Sequence, residues 1–262
     1  MRQFSLFMLQ RQLRLKILKI ANLSKSSHCH IGSCLSCIDI LIQTLIYEMG
    51  ERDKFVLSKG HASLALYVVL NYLGKISDKT LSTYFQNNTK LGIHTPSTLQ
   101  RDIPLGTGSL GHGLSFSCGL ALGNLMANKQ NPRNVYCLIS DGECNEGAIW
   151  EAALFATAHK LYNLIIIVDK NGLQAFGKTK DILGDGAAIE KWKSFGFNTY
   201  ECDGHNLNEL KRVFNEIKIN VGSRPNIVIC KTVRGKGLKV IENKVVSNYV
   251  SVDEKLLNSI YL

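Results

Sequence analysis

Ile139-Ser140-Asp141-Gly142-Glu143-Cys144-Asn145-Glu146-Gly147 closes the apolar run of residues 135–139 with a carboxylate and a glycine. A short apolar run ending in Asp-Gly is the pattern of a parallel strand buried on both faces. Open α/β sheets take their ligands at the carboxyl ends of such strands. The pattern returns one crossover later, where residues 164–168 are apolar and lead into Asp169-Lys170-Asn171-Gly172-Leu173. Between the two, residues 150–161 are rich in Ala and Leu without Gly or Pro, which predicts a helix and so a strand, helix, strand unit. Asp141 and Asn171 then present one carboxylate and one amide oxygen at neighbouring strand ends. Mg²⁺ takes oxygen ligands of this kind and completes its shell with waters and phosphates, so the implied ligand is a metal diphosphate. Asp-Gly and Asn-Gly are also ordinary turn chemistry. The ordered set of Asp141, Glu146, Trp150-Glu151-Ala152 and Asn171 favours the functional reading.

Outward from this unit, periodicity predicts helices near 5–22, 35–48, 61–73, 113–128, 147–161, 186–195 and 206–218, and strands near 135–140, 164–168, 197–202 and 226–231. The alternation implies an α/β fold, a doubly wound, mainly parallel sheet with helices on both faces. Residues 1–262 read as one domain, with residues 89–106 a long loop over the site and the tail 241–262 ordered by a partner.

The central segment resembles the thiamine-diphosphate motif of transketolases, which opens Gly-Asp-Gly, runs through Glu-Gly and Trp-Glu-Ala, and closes with an Asn. Here Ser140 replaces the first glycine. Four further segments resemble the same family in the same order: His30-Ile31-Gly32, with Ile31 for the usual proline; Ser58-Lys59-Gly60-His61; Thr107-Gly108-Ser109-Leu110-Gly111-His112-Gly113; and Lys231-Thr232-Val233-Arg234-Gly235-Lys236-Gly237. The resemblance implies a thiamine-diphosphate-binding fold. Asp141, Asn171 and the Leu173 carbonyl would ligate Mg²⁺ or another divalent ion such as Ca²⁺, and Gly142 would offer its amide to the diphosphate. Gly108, Ser109 and Leu110 would line the thiazolium end, His61 would contact the diphosphate, and His30 and His94 would face the sugar. Glu146 is carried as a cofactor-site residue that in the family joins an acidic network at the dimer interface. Imidazoles suit chemistry in which every step moves a proton near neutral pH, so His30, His61 and His94 are the catalytic candidates. His112, His159 and His205 are assigned no role.

Related chains usually carry Trp-His where this one has Ser247-Asn248. Asn hydrogen-bonds but exchanges no proton, so Asn248→His is expected to raise turnover. The length of 262 residues suits one α/β domain. The resemblance stops where the family's pyrimidine-binding domain begins, and with that domain goes the glutamate that activates the cofactor. It implies the N-terminal half of a two-subunit transketolase, inactive alone, that moves a two-carbon ketol unit from a ketose phosphate to an aldose. A separate C-terminal subunit would supply the pyrimidine-binding domain, in a homodimeric or heterotetrameric assembly. One alternative is another thiamine-diphosphate enzyme half, 1-deoxyxylulose-phosphate synthase-like or 2-oxo-acid decarboxylating. The other is a non-catalytic partner that binds cofactor or a subunit.

Composition narrows the setting. A hydrophobic fraction of 45% is a globular value, and no run of eighteen apolar residues suggests a membrane span. The first twenty residues interleave Arg11, Arg14, Lys16 and Lys19 with Leu and Ile, read as a packed helix and not a membrane anchor. The net charge of +10 is scattered, which suits anionic sugars and a diphosphate and not nucleic acid. Eight cysteines, including the Cys34/Cys37 pair, read as reduced and buried in a cytoplasmic protein.

Overall fold

A computed structural model describes residues 2–26, 28–99, 101–220 and 222–261. In chain order the elements begin α1 (Arg2–Ser24), α2 (Ile31–Leu41), β1 (Lys54–Leu57), α3 (Ser63–Tyr72), α4 (Asp78–Leu81) and α5 (His112–Ala127). They continue β2 (Val135–Ser140), α6 (Gly147–Ala158), β3 (Leu164–Lys170), the hairpin β4 (Leu173–Gln174) and β5 (Gly177–Lys178), α7 (Thr179–Leu183) and α8 (Ile189–Ser194). The last are β6 (Asn198–Asp203), α9 (Leu207–Ile219), β7 (Asn226–Lys231) and α10 (Glu254–Asn258).

The main sheet has the order β1-β2-β3-β7-β6, and every pairing is parallel. Its strands alternate between two cores, as a period of two requires. Tyr136, Leu138, Ile165, Ile167, Val228 and Cys230 pack with α1, α2, α3 and α9. Val135, Cys137, Ile139, Leu164, Ile166, Val168, Ile227 and Ile229 pack with α5, α6 and α8 on the other face. Both faces are covered, which is why β2 and β3 read as unbroken apolar runs. The register sets Ser140 opposite Asp169, so the residues that follow, Asp141 and Asn171, emerge at the same end of the sheet.

Helix α2 is buried along its whole length and continues as a π-helix over Ile42–Glu48. Together, Ile31–Glu48 is long and apolar enough to cross a membrane by length and composition, which the sequence reading did not foresee. However, 78% of that window is buried inside the protein, as in a core helix. The predicted helices differ at their ends, three of them at the start in ways that the local backbone explains. The expected helix at 35–48 starts at Ile31; the one at 61–73 opens as a 3₁₀ turn over Gly60–Ala62; and α8 starts only at Ile189, after Gly184 at φ 78. Strand β1, four residues long, has too little sequence to show a period. Within the expected loop, Ile93 and His94 are tied to α3: Ser63 Oγ donates to Ile93 O at 2.7 Å, and Tyr67 OH to His94 O at 3.1 Å. The segment after residue 241 packs on α1 within the chain, with Val252 and Leu256 buried and Asn22 Nδ2 donating to Val252 O at 2.7 Å. All eight cysteines are free thiols and buried.

Candidate functional site

The carboxyl ends of β1, β2, β3 and β7 surround a cleft of about 210 Å³ that includes His30, His61, His94, Gly142, Asn171 and Arg234 in its lining. Asp141 ends β2 at 1% exposure. Its Oδ1 accepts from Gly142 N at 3.0 Å, and its Oδ2 from Gly172 N at 2.7 Å and Thr179 Oγ1 at 3.1 Å. Burial and the charge of Asp169 raise the Asp141 carboxyl to about 6, against the pull of those donors. Asn171 turns its amide oxygen to Leu173 N at 3.1 Å and its amide nitrogen to Asp169 Oδ2 at 3.3 Å.

Beneath these residues lies a buried ion pair. Lys59 Nζ contacts Asp169 Oδ2, and neither side chain is exposed. Burial works against both charges, yet the pairing outweighs it, holding Asp169 below the usual carboxylate range and Lys59 above the usual amine range. Ser36 and Thr232 add hydroxyl donors to the same carboxylate. Glu143 performs a parallel task next to Asp141. Fully buried, it accepts from Ser58 Oγ, Gly111 N at 2.8 Å and Ser140 N at 3.3 Å, joining the end of β1, the glycine-rich turn and the end of β2.

Three imidazoles form one wall. The His30 ring centroid lies 5.5 Å from that of His61 and 6.1 Å from that of His94, and the Tyr249 ring is 6.0 Å from His30. Burial, then the charges of His94 and Arg234, lowers His30 to about 4; burial and Lys59 push His61 well down; burial lowers His94. All three are therefore neutral at pH 7, each with one donor and one acceptor nitrogen. His30 also sits in the left-handed region at φ 46. Such strain in a non-glycine residue is held only where the surroundings over-determine it, and it collects at functional sites. Two buried polar atoms of cleft residues, His30 Nδ1 and Gln174 Nε2, have no partner among the described residues. Unsatisfied groups of this kind mark where a polar ligand fits. The glycine turn admits that ligand closely, since a Cβ on Gly108 would already lie 3.2 Å from the His94 ring.

Of the residues singled out by sequence, His30, His61, His94, Gly108, Leu110, Gly142, Asn171 and Leu173 line this cleft, and Asp141 lies buried beside it. Ser109 and Glu146 do not line it; both are exposed, and Glu146 lies against Gly111. Lys59, Asp169, Glu143 and Arg234 carried no role in the sequence reading. Their one local signal is a charged residue close to the end of an apolar strand.

A parallel sheet that gathers a buried carboxylate, an amide and neutral imidazoles at one end of its strands defines an α/β domain of the diphosphate-binding class. Residues 12–254 match the family described as transketolase, thiamine diphosphate binding domain, and the chain belongs to that family. It is 36% identical over 243 residues to one of the subunits of an apulose-4-phosphate transketolase from Actinobacillus succinogenes, covering 89% of this chain and 86% of that protein. It is 34% identical over 248 residues to the 6-deoxy-6-sulfo-D-fructose transketolase subunit SqwG from a Clostridium species, covering 91% of this chain and 89% of that protein. Among solved structures, the transketolase of Leishmania mexicana superposes with a TM-score of 0.87 at 22% identity, covering 97% of this chain. This chain spans 40% of the length of that transketolase.

Proposed function

We propose that the chain is the N-terminal, diphosphate-holding half of a two-subunit, cytoplasmic transketolase that moves a two-carbon ketol unit from an anionic ketose to an aldose. The observation that carries this reading is the placing of Asp141 and Asn171 at adjacent strand ends, beside a cleft walled by three neutral imidazoles. The relatives named above act on a sugar phosphate and a sulfosugar. Both are anions, and a net charge of +10 attracts that class.

The residues fit the cofactor. Asp141, Asn171 Oδ1 and the Leu173 carbonyl are the hard oxygen donors that Mg²⁺ prefers, and a cation there relieves the crowding of Asp141 by Asp169. The unpartnered Gln174 Nε2 is a donor for phosphate oxygens, and the amide of Gly142 would join it by releasing Asp141 Oδ1. Thiamine diphosphate, when bound, supplies the electron sink that holds the two-carbon fragment between donor and acceptor. His30, His61 and His94 accept and return protons and hydrogen-bond the sugar hydroxyls, with His30 Nδ1 free for that task. The carboxylate that activates the cofactor comes from the C-terminal half, and eight buried thiols suit a reducing compartment.

The test is reconstitution with the C-terminal half of a split transketolase, followed by an assay of ketol transfer from a ketose phosphate. Transfer by the pair and by neither chain alone is the expected result. A pair that holds the cofactor yet transfers no ketol unit contradicts the reading.

A further inference from the structure

His205, assigned no role from sequence, lies in the turn between β6 and α9, and its ring bridges two partners. Nδ1 is 2.7 Å from Asp39 Oδ2 on α2, and Nε2 accepts from Val233 N at 2.8 Å, just past β7. A backbone amide can only donate, so Nε2 is bare and the proton of the neutral ring sits on Nδ1, aimed at Asp39. Asp39 is fixed in turn from α1, where Arg14 donates to both its oxygens and Gln10 Nε2 to Oδ1 at 3.0 Å. Burial works against the Asp39 charge, but Arg14 and His205 outweigh it and hold the carboxyl at about 2. The acceptor is therefore ionised at neutral pH, which gives the imidazole one orientation and one tautomer.

The same turn grips the residue before Val233. Gly204 N donates to Lys231 O at 2.8 Å. A Cβ on Gly204 would stand 2.5 Å from Thr232 Cγ2 and 3.0 Å from Cys230 Cβ, so the glycine permits the close approach. Thr232 extends the β3–β7 ladder, its amide donating to Lys170 O at 3.1 Å. Its hydroxyl donates to Asp169 Oδ1, and among the described residues that oxygen has no other donor. Asp169 Oδ2 accepts from Asn171 Nδ2 at 3.3 Å, which decides where the Asn171 oxygen points. A chain of contacts thus runs from α1 and α2 through His205 to Asn171.

We propose that His205 is a positioning residue for the metal-diphosphate site: anchored on Asp39, its Nε2 holds the Val233 amide and so keeps the Thr232 hydroxyl on Asp169, the carboxylate that orients Asn171. The inference rests on the functional reading above. His205 is not part of the cleft lining and acts only through these contacts. An aliphatic side chain of similar size would fill the space and leave the Val233 amide and Asp39 each short of a partner.

The first test is spectroscopic. Nuclear magnetic resonance of the isotope-labelled imidazole nitrogens should show the His205 ring at pH 7 with its proton on Nδ1 and a bare Nε2, assigned by its loss in His205→Gln. The second is calorimetric, on this chain assembled with the C-terminal half of a split transketolase. His205→Leu should weaken Mg²⁺ with thiamine diphosphate about 10-fold, the lower end for partners beyond a metal's own ligands. His205→Gln, whose amide oxygen can still accept from the Val233 amide, should recover most of that loss. Val213→Ala, which opens a cavity in the same core on α9, should lower the melting temperature and leave affinity unchanged. A proton on Nε2, equal affinity in wild type and His205→Leu, no difference between the Leu and Gln variants, or an equal loss in Val213→Ala would overturn the proposal while the functional reading stands. An intact wild-type assembly that binds no thiamine diphosphate would overturn both.

Discussion

The amide of Gly172 donates to Asp141 Oδ2 at 2.7 Å, so the loop after β3 is tied to the carboxylate that ends β2. Two strand ends thirty-one residues apart in sequence are thereby locked into one oxygen cluster.

Asp141→Asn tests that cluster. The variant keeps the shape of the side chain and removes the charge, and Thr179 and Gly172 retain an oxygen to bond. It is expected to fold, because Asp141 carries an energetically crowded charge. Affinity for Mg²⁺ with thiamine diphosphate should fall more than about 100-fold, since even outer-shell partners of metal ligands are worth about 10–100-fold. Thermal shift with and without the two ligands measures both effects.

Lys59→Met tests the pair beneath it. The substitution leaves the fully buried Asp169 carboxylate without its cation, which costs about 3–5 kcal/mol when one member of a buried pair is removed. Urea unfolding should show that loss, and Lys59→Met combined with Asp169→Asn should recover part of it.

These charged residues also mark where sequence reading stops. Asp141 and Asn171 were legible because each follows an apolar run that announces a buried strand. Lys59 and Asp169 are 110 residues apart, and nothing local to either shows that they meet. Glu143 and Glu146 are three residues apart in one motif. Only the fold shows that Glu143 turns inward to Ser58 and Gly111 while Glu146 faces out. The sheet and most helices followed from period and composition. By contrast, β1, the β4/β5 hairpin, and helices α4, α7 and α10 are too short to carry a period.

The imidazole wall predicts an acid limb in stability. His30 is held neutral down to about pH 4 in the fold, whereas an unfolded chain protonates it near 6.5. Between those values the unfolded state binds more protons, so stability falls as the pH drops from 6.5 towards 4. For a half-buried ring this is worth about 1–2 kcal/mol after solvent screening. His30→Asn should flatten that limb, read from urea midpoints at pH 7 and pH 5; equal slopes in both proteins would count against it.

Packing of α5 against the end of β1 can be probed through Gly113. A Cβ there would stand 2.6 Å from Ser58 Cα, a backbone atom that cannot yield. Gly113→Ala should lower stability by about 1–3 kcal/mol, as overpacking does, and the melting temperature measures it. A wild-type melting temperature would mean that α5 and the end of β1 do not approach each other this closely.

The most direct test of the central claim is calorimetric titration of thiamine diphosphate and Mg²⁺ into this chain assembled with the C-terminal half of a split transketolase. The account predicts one cofactor bound per copy of this chain, with binding lost when Asp141→Asn is introduced and the assembly intact. An intact assembly that binds no cofactor, or one that binds it equally well with Asn at position 141, would contradict it.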